Sequence, residues 1–386
     1  MQGLHFAADR RLPRQMLAIA GMLLLLMVLV LGTGGQAQAQ GQSTGAVYVM
    51  DNDSTANAVL VFEQAGDGTL TQVDSVATGG LGTGGGLGSQ GAIALSQNRR
   101  WLFVVNAGSN EISSFEARGN TLSLIDTVPS GGEKPVSLTV HGQLLYVLNA
   151  GGSGNITGFR INSHGNLKPI PNSTQYLSND GVGDAPGPAQ ISFLPYGRRL
   201  VVTEKATNQI LTYRVKGFGR VSEPVINASE GMTPFGFDFT PRGDLLVSEA
   251  FGGADNASAV SSYSFRQGET RVISSSVPTT QTAACWLVVS RDGKYAYTTN
   301  TGSSSVTGLQ INHDGSVALL DADGVTGETG TGSRPIDAIF DRRGDFLYVL
   351  SGGSYTVTAF QVEADGSLIN LGEVSVPAGS VGIVSR

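Results

Sequence analysis

Asp292-Gly293-Lys294-Tyr295-Ala296-Tyr297-Thr298-Thr299-Asn300 is the stretch that decides the fold of this chain. An Asp-Gly turn opens it, a run of strand-forming residues follows, and an asparagine closes it. Upstream stands a short apolar segment, Trp286-Leu287-Val288-Val289-Ser290. Downstream come a second strand-like run, Ser305-Val306-Thr307-Gly308-Leu309-Gln310-Ile311, a polar turn at His313-Asp314-Gly315, and a last strand. The heart of this unit occurs seven times. It reads Val47-Tyr48-Val49-Met50-Asp51, Leu102-Phe103-Val104-Val105-Asn106, Leu145-Tyr146-Val147-Leu148-Asn149 and Leu200-Val201-Val202-Thr203-Glu204. It continues as Leu245-Leu246-Val247-Ser248-Glu249, Ala296-Tyr297-Thr298-Thr299-Asn300 and Leu347-Tyr348-Val349-Leu350-Ser351. Neighbouring copies lie 43–55 residues apart. Four short antiparallel strands every ~50 residues, seven times over, predict an all-β, seven-bladed β-propeller.

The two ends of the repeat array complement each other. The first copy begins at Gly45 with no inner strand before it. The last is followed by a spare segment, Val381-Gly382-Ile383-Val384, which is similar to the inner segments Ala92-Ile93-Ala94-Leu95 and Ile336-Asp337-Ala338-Ile339. The C-terminal strand is therefore expected to complete blade one and close the ring. Closure removes the sheet edges that invite aggregation.

Composition agrees with this reading. The 54 glycines in 386 residues are twice the ~7% of an average protein, as many tight turns require. With 14 prolines and no Gly-X-Y period, collagen is excluded. A chain with 40% hydrophobic and only 14% charged residues is not a disordered one. At the N-terminus, Arg10, Arg11 and Arg14 precede an apolar run from Met16 to Leu31, and Ala37-Gln38-Ala39 matches a small-residue cleavage site. The run is shorter than the ~20 residues that span a bilayer. Residues 1–39 are read as a secretory signal cleaved after Ala39, with an uncleaved anchor as the alternative. The propeller domain, 40–386, is then expected to be secreted or periplasmic. The mature chain carries 21 basic and 30 acidic residues, a net charge of −9. That balance argues against a nucleic-acid binder. The single cysteine, Cys285, excludes an internal disulfide and a cysteine metal cage. Its neighbours Ala283, Ala284 and Trp286 predict a buried thiol.

The unit at 292–300 and its relatives at 344–351 and 99–106 resemble those of the lactonase-type propellers. That family includes bacterial 6-phosphogluconolactonase and fungal carboxymuconate cyclase. The resemblance extends over residues 45–386 and implies a small-molecule lactone or sugar-like ligand. It also implies a Gly-Pro-Arg-His start to the fourth inner strand, where this chain has Gly187-Pro188-Ala189-Gln190. The fifth inner strand starts Thr233-Pro234-Phe235-Gly236-Phe237, with no basic residue. In the last blade Arg334 precedes Pro335, whereas the family pattern places arginine after it. Half of the implied set is absent, which argues against hydrolysis of a phosphorylated gluconolactone. Two functions stay open: a divergent lactone or sugar-derivative hydrolase, and a non-catalytic propeller that binds proteins, glycans or cell-envelope material. A monomer is expected.

Inner strands of a propeller line an axial channel, so candidate residues are sought where they start and where the second strands end. The second strands end in a ring: Asp51, Asn106, Asn149, Glu204, Glu249, Asn300 and Ser351. Asn and Asp at such a place suit Asx-turns. Glutamate makes such turns poorly, so Glu204 and Glu249 are candidate catalytic carboxylates, with Lys205 as oxyanion partner. Gln190, Phe235, Phe251, Trp286, Asn106, Asn149 and Asn300 are the candidate ligand-binding residues. His141, His164 and His313 are predicted in turns, which argues against a histidine triad or zinc site. No cofactor is expected. Asp51-Asn52-Asp53 offers oxygen ligands for calcium but lacks the spacing of a known loop. The glycine run from Gly79 to Gly88 is read as a mobile flap or a spacer.

Overall fold

In the computed structural model, which describes residues 45–386, each repeated core forms the second strand of a four-stranded blade. The reason is visible in blade six. The inner strand Ala284–Val289 is buried along its whole length. The second strand Tyr295–Asn300 pairs antiparallel with it on one side and with Ser305–Ile311 on the other. Strands covered on both faces need the near-continuous apolar runs that define the repeat. The outermost strands carry most of the exposed positions, as the half-exposed Leu368–Ser375 does in blade seven.

Seven such sheets follow one another, and blade one confirms the expected closure. Its order is Leu70–Ala77, Ala58–Gln64, Gly45–Met50 and then the C-terminal strand Val381–Ser385. Tyr48 pairs with Val384 and Val49 with Ile383. The predicted signal segment, residues 1–39, lies outside the described residues.

The tyrosine of the repeat latches one blade to the next. Tyr48 of blade one donates its hydroxyl to the carbonyl of Gly119 in blade two, at 2.5 Å. Tyr146 reaches Gly219 from blade three to four (2.6 Å), and Tyr297 reaches Gly366 from six to seven (2.7 Å). Tyr348 reaches Gly68 across the closure from blade seven to blade one (2.9 Å). Burial pushes the Tyr48 phenol up to about 12 and raises the other three, so the latch keeps its proton at any physiological pH. In blades two, four and five the same position holds Phe103, Val201 and Leu246, which pack without a hydroxyl.

Two faces result. On the crossover face the chain passes from the outer strand of one blade to the inner strand of the next, and the second strands end there. On the hairpin face the inner strands turn back into the second strands.

Candidate functional site

Along the axis the inner strands enclose a channel of about 330 Å³. Its polar lining includes Gln90, Thr139, Gln190, Ser192, Asp238 and Asp337. Neither Glu204 nor Glu249 lines it. Both are 0% exposed. Glu204 accepts the backbone N–H of Ser178 (3.0 Å) and the hydroxyls of Ser178 (2.5 Å) and Thr207 (2.6 Å). Glu249 accepts the N–H of Gly231 (2.9 Å) and the hydroxyl of Ser276 (2.7 Å). A side chain at position 231 would run into the Glu249 carboxylate, so glycine is required there. Ser178 and Gly231 belong to the loops that cross into the glutamates' own blades. Each carboxylate anchors a crossover loop and stands outside the channel, so the structure does not bring the two expected catalytic glutamates together at a shared ligand position.

The asparagines of the ring do similar work. Asn106 accepts from Thr78 Oγ1 (2.7 Å) and Asn57 Nδ2 (2.8 Å), and donates to Ser113 Oγ (2.8 Å). Asn149 donates to Asn155 Oδ1 (2.9 Å) and to the Ser130 carbonyl (3.4 Å). Asn300 donates to Ser305 and Thr307. All three are fully buried and brace the third strand or the crossover loop rather than facing a ligand. They are not simple strand-ending Asx-turns either. Asp51-Asn52-Asp53 is more local: Asp53 Oδ1 accepts the N–H groups of Thr55 and Ala56, and Asp51 Oδ1 those of Asp53 and Ala58. One oxygen of each aspartate is thus held in a turn.

The remaining candidates do converge, and what they converge on is the chain itself. The glycine run ends at the crossover mouth of the channel, where three successive residues are each tied down. The Gly88 carbonyl accepts from Lys205 Nζ. The Ser89 carbonyl accepts Trp286 Nε1–H at 2.9 Å. Gln90 pairs through its side-chain amide with Leu287 of blade six, donating to its carbonyl (2.8 Å) and accepting its N–H (3.1 Å). Its own N–H reaches the Ala189 carbonyl of blade four (3.0 Å). A side chain at Gly236 would strike the Gln90 amide, so this close approach depends on glycine. The run is neither flap nor plain spacer. Further back, Asn52 holds it through Gly85 (2.7 Å) and Thr83 (3.0 Å).

Gln190, in blade four, makes the same kind of amide pairing with the adjacent blade. Its amide donates to the Phe237 carbonyl (3.0 Å) and accepts the Phe237 N–H (2.7 Å). It staples blade four to blade five, where the family pattern has histidine. Phe235 stacks near Trp286, with ring centroids 4.8 Å apart, and Lys205 Nζ lies 4.7 Å over the Phe235 ring. Burial pulls the Lys205 amine down to about 8, helped by repulsion from Lys134 and opposed by the Cys285 sulfur. Cys285 is buried as expected, and burial pushes its thiol up to about 11. Phe251 stays apart, half-exposed in the short turn Phe251–Gly253 and outside the Phe235–Trp286 cluster. His164 and His313 sit in exposed turns, and His141 ends an inner strand on the hairpin face.

Sequence reading missed Gln90. The available signal was an amide immediately after the longest glycine run, at the start of an inner strand. In the channel itself, burial pushes Asp238 up to about 6, while the N–H groups of Val289 and Phe239 hold it down in part. Asp337, 4% exposed, is raised well above the usual carboxylate range by burial.

Comparison with known proteins agrees with the architecture. The family described as "Lactonase, 7-bladed beta-propeller" matches residues 42–178, 153–253 and 249–382. An uncharacterized protein of Lactococcus lactis, YwcC, is 26% identical over 273 residues, which is 67% of this chain and 77% of that protein. Among solved structures, a Lactobacillus plantarum protein superposes with a TM-score of 0.70 at 20% identity, over 89% of this chain and 99% of the other. The periplasmic gluconolactonase of Pseudomonas aeruginosa superposes with a TM-score of 0.67 at 16% identity, over 88% and 99%. At such identities these structures speak for the fold alone.

Proposed function

This chain belongs to the lactonase family of seven-bladed β-propellers, and from that premise we propose that it is a non-catalytic member that binds rather than hydrolyses. The observation that carries the reading is the Gln90 amide, which spans the crossover mouth and pairs with Leu287 on the far side of the ring. Lactone hydrolysis needs an activated water and donors free to stabilise an oxyanion. Here Lys205 Nζ, Trp286 Nε1 and the Gln90 and Gln190 amides on that face each hold a backbone carbonyl in place, which ties them to the chain rather than to an oxyanion. The positions of the family's arginine and histidine hold Ala189 and Gln190. Export of the mature chain, read from its N-terminus, is part of the same proposal, because it separates the protein from cytosolic phosphorylated sugars. Its binding partner is then a glycan, protein or other extracytoplasmic molecule.

One observation favours a second reading. Lys205, whose amine burial pulls down to about 8, is a usable acid–base group as long as it stays shielded from water. In that case the protein is a hydrolase whose plug must first be displaced. A panel of lactones, including gluconolactone, assayed with wild type and with Gln90→Ala decides between them. No turnover above background in either supports the binding propeller. Turnover in the wild type overturns it, and turnover confined to Gln90→Ala establishes the plugged hydrolase instead.

A further inference from the structure

The hairpin face carries the feature that the lactonase reading does not use. A cavity of about 820 Å³ there is lined by Arg99, Arg291, Arg342 and Arg386, together with Gln97, Asn98 and Asn120. The four arginines come from consecutive blades. Arg291 follows the inner strand of blade six and Arg342 that of blade seven. Arg386 follows the closing strand of blade one, and Arg99 stands in the inner turn of blade two. Three share a local pattern: Ser290-Arg291, Asp341-Arg342 and Ser385-Arg386. The repeat has thus placed one guanidinium per blade around half of the ring.

None of the four forms an ion pair among the described residues. Arg291 donates to the Arg342 carbonyl (3.0 Å) and Arg386 to the Arg99 carbonyl (3.0 Å), which orients them without neutralising them. The acid beside them is Asp341. Its Oδ1 is taken up by the N–H groups of Gly344, Asp345 and Phe346, and its Oδ2 by Gln64. Among the described residues that line the cavity there is no Asp or Glu side chain. Arg99 feels the cluster directly: burial and repulsion from Arg342, Arg291 and Arg386 lower its pKa, with Asp341 opposing. Two buried polar atoms in this cavity have no hydrogen-bond partner, Arg99 Nη1 and Asn120 Oδ1. The Asn120 amide turned by half a revolution presents its Nδ2 donor instead.

Buried donors without partners are costly, and like charges brought together in a concave site are costlier still unless a counter-charge fills it. Guanidinium forks match phosphate oxygens two at a time. We propose that this arginine arc is a binding site for a compact, multiply charged oxyanion of the phosphate class. Arg99 and Arg342 would supply the central contacts. A long polyanion is disfavoured, because the mature chain is net −9 and would repel whatever extends beyond the arc. The site is independent of lactone chemistry and lies on the opposite face from the plug.

The test is calorimetric titration of the purified protein with inorganic pyrophosphate. Saturable binding is expected, weakened on the order of 10–100-fold in Arg99→Gln/Arg342→Gln, as loss of charge-assisted bonds implies. The unliganded double variant should melt no lower than the wild type, since repulsion is relieved. A control, Arg118→Gln/Arg242→Gln, removes arginines already paired with Glu116 and Asp244 and should keep wild-type affinity. No binding by the wild type, equal affinity in the arc variant, or equal weakening in the control overturns the site. Flotation with phosphatidylglycerol vesicles separates the sources of the phosphate. Vesicle binding that pyrophosphate competes away identifies a lipid headgroup, and pyrophosphate binding without vesicle binding identifies a soluble ligand. Either supports the site.

Discussion

The two mouths of the channel are built from the same repeat and have opposite polar economies. At the crossover mouth four side chains around the channel each hold a backbone carbonyl: Lys205 that of Gly88, Trp286 that of Ser89, Gln90 that of Leu287 and Gln190 that of Phe237. At the hairpin mouth four arginines line one cavity without an ion pair among the described residues, and a buried Arg99 nitrogen has no acceptor. Function in a lactonase-type propeller is sought at the first. Unpartnered polar atoms occur near both: Asn149 Oδ1, Asn300 Oδ1 and Ser351 Oγ belong to fully buried ring residues at the first, whereas Arg99 Nη1 and Asn120 Oδ1 at the second belong to residues lining a cavity that also holds guanidinium groups without an ion pair among the described residues. The difference teaches that a deviation from the repeat, such as Glu in place of Asn, marks a local structural need as readily as a site.

The largest expected effect breaks the comparison by removing what holds both mouths in one ring. Deleting Ser380–Arg386 takes away the inner strand of blade one, its pairing with Gly45–Met50 and one arginine of the arc. The loss should exceed ~5 kcal/mol, comparable with the whole stability of many domains. Circular dichroism melts should then show no cooperative transition at the wild-type temperature. A truncated chain that melts like the wild type would mean the ring does not depend on its tail.

A smaller effect sharpens the contrast between the mouths. Glu249→Ala leaves the Gly231 N–H and Ser276 hydroxyl buried without an acceptor and should cost about 2–4 kcal/mol in urea denaturation. Glu249→Gln keeps an oxygen for Gly231 and should cost about 1 kcal/mol. At the hairpin mouth, Arg99→Gln removes a repelled charge and should leave stability unchanged or raise it. If Glu249→Ala left stability intact and abolished binding of a ligand, the anchoring account of the ring would fail.

How far these sites were legible in the sequence follows from where each partner lies. The blades were legible because seven copies of one core amplify a weak strand signal, and the spare Val381–Val384 segment had one place to go. The tyrosine in Leu-Tyr-Val was visible, but its purpose was not. Its acceptor is a glycine carbonyl 71 residues away from Tyr48 and 280 away from Tyr348. For Glu204 and Glu249 the sequence shows a glutamate at the end of a second strand but not what it reaches. Its extra methylene here serves to reach a loop that no local pattern reveals. The arginine arc had a signal, the Ser/Asp-Arg pair after three inner strands, hidden by an acidic net charge that draws attention from local basic clusters.

Between the mouths lie the two channel acids, and they give the smallest and most selective prediction. Asp238, lining the channel, has its carboxyl raised by burial to about 6, against an ordinary value of 3.8. The native state therefore holds this proton through a window in which the unfolded chain has lost it. Stability contributed by Asp238 is fully present below pH ~4 and is lost as the pH rises toward 6. Asp337 is raised as well and acts in the same direction. Surface acids held below their ordinary values, such as Asp67, Asp314 and Asp365, act oppositely, and their effect is confined to lower pH. Asp238→Asn imitates the protonated carboxyl, so it should flatten the fall in melting temperature between pH 4 and 7 by roughly 2–5 °C. The double variant with Asp337→Asn should remove most of what is left. An oxyanion bound at the arginine arc acts at a different mouth, so pyrophosphate should raise the melting curves of wild type and Asp238→Asn in parallel. Curves that instead converge with ligand would mean that the channel and the arc are one electrostatic unit, and that the two mouths are not independent.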